Sequence, residues 1–123
     1  MPTDLRIDAD NRPGVLAAIA AALGSAGVNI EGYCGVGAGG KGSIHFLVDD
    51  AAGARKALEG SSHTIAAEHE ALLVERGVDR PGYLAEITKK LSDAGINVEV
   101  GYVATDTRLV FVVDDPERAR GLL

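Results

Sequence analysis

Leu5 and Ile7 alternate with Asp4, Arg6 and Asp8, the period of a strand with one buried face. After Arg12 the period changes. Leu16, Ile19, Leu23 and Ala26 follow at spacings of three and four, which gives a helix a single apolar face. Pro13, with its fixed φ and no N–H to leave unpaired, suits the first position of that helix, and Gly27 suits its left-handed end. Residues 28–36 and 43–48 read as a second and a third strand joined by a Gly-rich hairpin turn. Asp49 or Asp50 caps a short helix to about Leu58, and residues 64–67 read as a fourth strand. The order β-α-β-β-α-β is the split βαβ, or ferredoxin-like, arrangement, with two helices on one face of a four-stranded antiparallel sheet.

The same pattern then starts again. Arg12-Pro13-Gly14 returns as Arg80-Pro81-Gly82, and Ala26-Gly27-Val28-Asn29-Ile30 as Ala94-Gly95-Ile96-Asn97-Val98, both 68 residues on. Between these anchors Leu16, Ile19 and Leu23 meet Leu84, Ile87 and Leu91. Past the Gly-rich turn the offset falls to 65, where Ile44, Phe46 and Val48 meet Leu109, Phe111 and Val113, and Asp49-Asp50 meets Asp114-Asp115. Two anchored motifs with a matching apolar stripe between them make the chain a tandem duplication, with units at 1–69 and 70–123. The second copy differs twice. Its first strand is out of phase, since Ile7 falls on Glu75 while Leu72 and Val74 are the apolar positions, and a one-residue bulge near Gly77 would restore the phase. The sequence also stops at Leu123, with no residues for a fourth strand, so another chain is expected to cover that edge, as in a homodimer.

Composition narrows the partners. The 123 residues carry a net charge of −6, which disfavours nucleic acid and anionic membranes. No apolar run approaches the length of a membrane span, and residues 1–6 do not open a secretory signal. Cys34 is the single cysteine, so no intrachain disulfide is available and a reducing, cytoplasmic setting is expected.

The stretches Asn11-Arg12-Pro13-Gly14-Val15-Leu16 and Asp79-Arg80-Pro81-Gly82-Tyr83-Leu84, each followed by its Ala-Gly-(Val or Ile)-Asn segment, resemble the ACT-domain family over nearly the whole chain. The resemblance is strongest to stand-alone proteins of two ACT units. It implies two ferredoxin-like units side by side with a continuous antiparallel sheet and helices on one face. It also implies a non-catalytic, regulatory role: allosteric sensing of an amino acid bound at an interface between units, in the service of a metabolic enzyme. The alternative is a purely structural, oligomerising module with no ligand.

A free amino acid is a zwitterion, so its site needs donors for the carboxylate and acceptors for the ammonium. The helix start supplies the N–H groups of Gly14 and Val15 and the positive end of the helix dipole. In the family, the Asn before Arg-Pro-Gly and the Asn after the helix contact the ligand; here these are Asn11 and Asn29. The expected ligand set is therefore Asn11, Arg12, Pro13, Gly14, Val15, Asn29 and Ile30. A weaker second-copy set is Asp79, Gly82, Tyr83 and Asn97, weaker because the Asp79 carboxylate would repel a ligand carboxylate. Asn11 and Asn29 also have a plainer role as turn and cap residues.

Other signals carry less. Residues 35–42 nearly match a phosphate-cradling loop, but Gly42 stands where a hydroxyl is needed and a strand follows instead of a helix. His45, His63, His69 and Cys34 lack metal-site spacing, so neither metal nor cofactor is expected. His45 reads as a solvated or interface residue, Cys34 as a small buried hydrophobe, and Tyr33 and Tyr102 as packed. No nucleophile–base constellation points to an enzyme.

Overall fold

The computed structural model describes residues 2–75 and 79–123. Leu5 and Ile7 are buried on one face of β1 (Thr3–Asp10), and that face sets the first core. β3 (Lys41–Val48) runs antiparallel beside it, with Leu5 opposite Phe46 and Ile7 opposite Ile44. β2 (Gly32–Ala38) pairs antiparallel on the other side of β3, and β4 (Ile65–Glu70) joins β1, giving the order β2-β3-β1-β4. This is the ferredoxin-like order expected from β-α-β-β-α-β. α1 (Val15–Ser25) and α2 (Ala51–Glu59) supply Ile19, Leu23 and Leu58 to the same core, each fully buried. Each such side chain contributes about 2 kcal/mol of transfer free energy.

The chain divides into two compact units, residues 1–69 and 70–123. The second contains β5 (Leu72–Val74), α3 (Tyr83–Asp93), β6 (Val98–Val103), β7 (Leu109–Val113) and α4 (Pro116–Arg120). Its sheet order is β5-β7-β6, with no fourth strand among the described residues. Its own core gathers Leu72, Val74, Ile87, Leu91 and Phe111. Among the described residues the strands form two sheets, one of four strands and one of three, where the sequence reading expects one continuous sheet.

Pairing registers locate the length differences between the copies. Leu72 opposite Phe111 and Val74 opposite Leu109 repeat Leu5 opposite Phe46 and Ile7 opposite Ile44. Val74, not Glu75, is therefore the counterpart of Ile7, and the extra residue lies between Val74 and Arg80. The bulge expected near Gly77 falls outside the described residues. The change of offset from 68 to 65 is borne out, since Gly32 opposite Leu47 matches Val100 opposite Val112. A register shift occurs between Val98 and Val100 as well.

The helix boundaries correct two expectations. Pro13 does not open α1. It lies in the turn before it, and Gly14 is the N-cap residue, at φ 92° and ψ −17°. Pro followed by a positive-φ Gly is the type II turn sequence, closed by the Val15 N–H pointing back to the Arg12 carbonyl at 3.4 Å. Arg80-Pro81-Gly82-Tyr83 repeats it, with Gly82 at φ 88° and the Tyr83 N–H 3.4 Å from the Arg80 carbonyl. Because the helix starts at Val15, its buried stripe is Val15, Ile19 and Leu23, and Leu16 is 43% exposed. In both copies the helix ends as expected. The N–H groups of Val28 and Ile96 reach the carbonyls of Leu23 and Leu91, a Schellman motif around Gly27 and Gly95. Asp50 and Asp115 cap the short helices, accepting from the N–H groups of Gly53 (2.8 Å) and Arg118 (3.2 Å).

Candidate functional site

In the first unit the Arg-Pro-Gly turn and the β2–β3 hairpin meet at the end of β1. Asn11 ties them together. Its backbone N–H donates to the Gly40 carbonyl (3.0 Å) and its side-chain amide to the Gly39 carbonyl (3.2 Å). The side chain lies so close to Gly37 that a Cβ there would stand 2.6 Å from the Asn11 amide nitrogen. Any side chain at Gly37 would therefore push the Asn11 amide from its place on the hairpin. This places the plainer, turn-closing role of Asn11 directly in the structure.

A groove of about 950 Å³ opens beside this junction. Asp8 and Asp10 of β1, Arg12 of the turn, Lys41 and Ser43 of β3, and His63 from the loop before β4 supply its polar wall. Val15, Val36 and Ala38 supply small apolar surfaces. Lys41 Nζ lies 3.1 Å from one Asp10 oxygen and Arg12 Nε 3.9 Å from the other. Arg6 Nε lies 3.4 Å from Asp8. Two cations and two carboxylates thus line one recess, the charge pattern that a zwitterion requires.

Of the expected ligand residues, Arg12 and Val15 line this groove, while Asn11, Pro13 and Gly14 form the turn next to it. Asn29 and Ile30 are not brought to it. They follow the other end of α1, whose 11 residues span about 16 Å. Asn29 is exposed, and Ile30 packs against the core. The expected ligand set does not include Asp8, Asp10, Lys41, Ser43 or His63, the last weighed only as a metal ligand. The pairing of Asp10 with Lys41 across the strands was the available signal, because it follows from the register that sets Ile7 opposite Ile44.

The second unit treats the equivalent positions differently. Tyr83 stands where Val15 does, and its hydroxyl donates to the Glu75 carbonyl at 2.8 Å. Arg80, the counterpart of Arg12, lies over the Tyr83 ring at 5.4 Å and binds both Glu86 oxygens at 2.7 and 2.8 Å. Its hydrogen bonds to Glu86 raise the guanidinium pKa, and the same bonds hold the Glu86 carboxyl below its usual range. The same 65-residue offset that relates β3 to β7 puts Asp106 at the position of Lys41. A 3₁₀ turn, Thr105–Thr107, replaces the glycine hairpin and is fastened by Arg108 Nε to the Thr105 carbonyl at 3.0 Å. Asp79, Gly82 and Asn97 are exposed, and the Asn97 N–H donates to Asp114 Oδ1 at 3.0 Å.

One pair lies outside the groove. Asp4 is fully buried, and an oxygen of its carboxylate lies 2.8 Å from Nδ1 of His45, whose side chain is 14% exposed. His45 is thus not solvated, which corrects that half of the solvated-or-interface expectation. The counterparts of Asp4 and His45 are Ala71 and Val110, both buried. That apolar counterpart was the missed signal that the position is interior. Cys34, opposite His45 on β2, is half-buried rather than buried, and Tyr33 is 57% exposed. Among the described residues no group of acids, histidines and cysteine is arranged to hold a metal, and no helix is long and apolar enough to cross a membrane.

Comparison with known proteins agrees with this architecture. The chain is similar in fold to a protein from Bacteroides thetaiotaomicron at 22% identity and a TM-score of 0.82, over 98% of this chain and 85% of that one. It is similar to the regulatory subunit of aspartate kinase from Thermus thermophilus at 19% identity and a TM-score of 0.77, over 99% and 87%. The corresponding subunit from Thermus flavus gives 18% identity and 0.73, over 98% and 86%. No curated protein sequence matches significantly. The ACT-domain family profile matches residues 3–32 and 71–123, more than half of the chain. With the duplicated Arg-Pro-Gly turns and the ferredoxin-like strand order, this match establishes that the chain belongs to the ACT-domain family.

Proposed function

We propose that this protein is a non-catalytic regulatory module that binds a small amino acid in the groove of its first unit. The observation that carries the reading is the recess where Arg12 and Lys41 face Asp8 and Asp10 beside the family's own turn. The ligand carboxylate is received by Arg12 and Lys41, and the ammonium by Asp8 with the Ser43 hydroxyl. This moves carboxylate capture away from the Val15 N–H, which points back into the turn. Asn29 and Ile30 are out of reach within their own unit, so they meet a ligand only where a second copy of the chain supplies them, as in a homodimer. The binding signal then passes to a separate enzyme of amino-acid metabolism, by analogy with the aspartate kinase regulatory subunits that share the fold.

The test is a thermal-shift panel over the common amino acids. A ligand at a hundredfold excess over its Kd stabilises the folded state by about 2.7 kcal/mol, a rise of several degrees in Tm for a protein of this size. One observation favours the alternative, an assembly module without a ligand: the Asn11 amide is spent on the hairpin. That reading predicts a flat panel, together with loss of assembly in variants of the Asn11 junction.

A further inference from the structure

We propose that Asp10 is an internal stand-in for the ligand carboxylate, holding the anion position between Lys41 and Arg12 until a ligand displaces it; this rests on the groove being the binding site. Each Asp10 oxygen faces a different cation, Lys41 Nζ at 3.1 Å and Arg12 Nε at 3.9 Å. A carboxylate set between two cations is the arrangement an incoming carboxylate would make in the same place. An incoming carboxylate would draw on the same donors of Lys41 and Arg12 that Asp10 occupies, and the two like charges would repel. Asp10 is also placed to leave. It is the last residue of β1, directly opposite Lys41, with 58% of its side chain exposed, so its side chain can turn outward without disturbing the core. Exposed ion pairs of this kind are weak and yield to a competing anion.

This makes Asp10 a negative regulator of its own site and sets the sign of a substitution. If Asp10 instead held the ligand ammonium, removing its charge would weaken binding; as a competitor, removing it tightens binding.

The experiment is an NMR titration of the full chain with acetate, a bare carboxylate, at constant ionic strength. It is followed at the Lys41 side-chain ammonium and the Arg12 Nε–H, in the wild type and in Asp10→Asn. An unchanged amide spectrum elsewhere shows that the variant is folded. The expected result is saturable shifts at both cations, with acetate affinity raised about threefold to tenfold in Asp10→Asn and the response lost in Lys41→Ala. Unchanged or weaker acetate affinity in Asp10→Asn, or no response at either cation in that variant, overturns the exchange. A parallel titration with glycine separates the two readings. Glycine binding with acetate affinity insensitive to Asp10 leaves the amino-acid site standing and removes the exchange. Acetate behaving as expected while no amino acid binds keeps the exchange and removes the amino-acid reading.

Discussion

The two repeats share their backbone devices and differ in their chemistry. Both have the Arg-Pro-Gly turn with its left-handed glycine, the Schellman end and the aspartate cap. Among the described residues the first has the open, charged groove and the buried Asp4–His45 pair, and the second has Tyr83, Asp106, Ala71 and Val110 at the equivalent positions. The motif that identifies the family is thus foremost a way of turning a strand into a helix, and whether it faces a binding site depends on its neighbours. Gly14 illustrates this: a Cβ there would meet nothing within 4 Å, so the glycine answers to its φ and not to lack of space.

The largest effect is expected at the pair that only one repeat has. Asp4→Ala leaves His45 without its partner in a nearly buried site and should cost up to about 3 kcal/mol, measured by urea denaturation. The double variant Asp4→Ala/His45→Val, which copies the second repeat, should recover most of that loss. A double variant as unstable as the sum of the singles would mean the two repeats need different things at this position. Next come the shared glycines. Gly14→Ala and Gly82→Ala should each cost about 1–2 kcal/mol and by similar amounts; a clear inequality would show that one turn is under additional constraint. The caps follow, with Asp50→Ala and Asp115→Ala each losing about 1 kcal/mol.

The smallest effect belongs to the second repeat alone. Glu86 titrates below its ordinary 4.5 in the folded chain because Arg80 hydrogen-bonds it. Its contribution is therefore complete above the ordinary carboxylate range and is lost as pH falls through the lowered folded value. Glu86→Gln should remove that part of the acid dependence of stability, and because the pair is exposed, added salt should shrink the difference. Persistence of the same acid slope in the variant would remove Glu86 as its source.

The repeat, the strand order, the glycine helix ends and the capping role of the paired aspartates were all legible in the sequence, because each depends on local backbone needs or on periodicity. The buried helix face was misread by one residue. Pro13 suits a first helical position, but the turn it belongs to delays the helix to Val15 and turns Leu16 outward. The groove was only partly legible. Arg12 and Val15 sit in the motif, but Asp10, Lys41 and His63 come from three separate elements that only folding brings together. The Asp4–His45 pair escaped because alternation on a strand marks a polar residue as outward-facing, and a face buried on both sides breaks that rule.

The proposed role requires a ligand held by the first repeat and not the second. Calorimetric titration of the full chain with individual amino acids, repeated on Arg12→Ala and Arg80→Ala, tests it most directly. The expected result is saturable heat with one ligand per chain, abolished by Arg12→Ala and retained in Arg80→Ala. Two ligands per chain, loss of binding on Arg80→Ala, or no heat with any amino acid would contradict it.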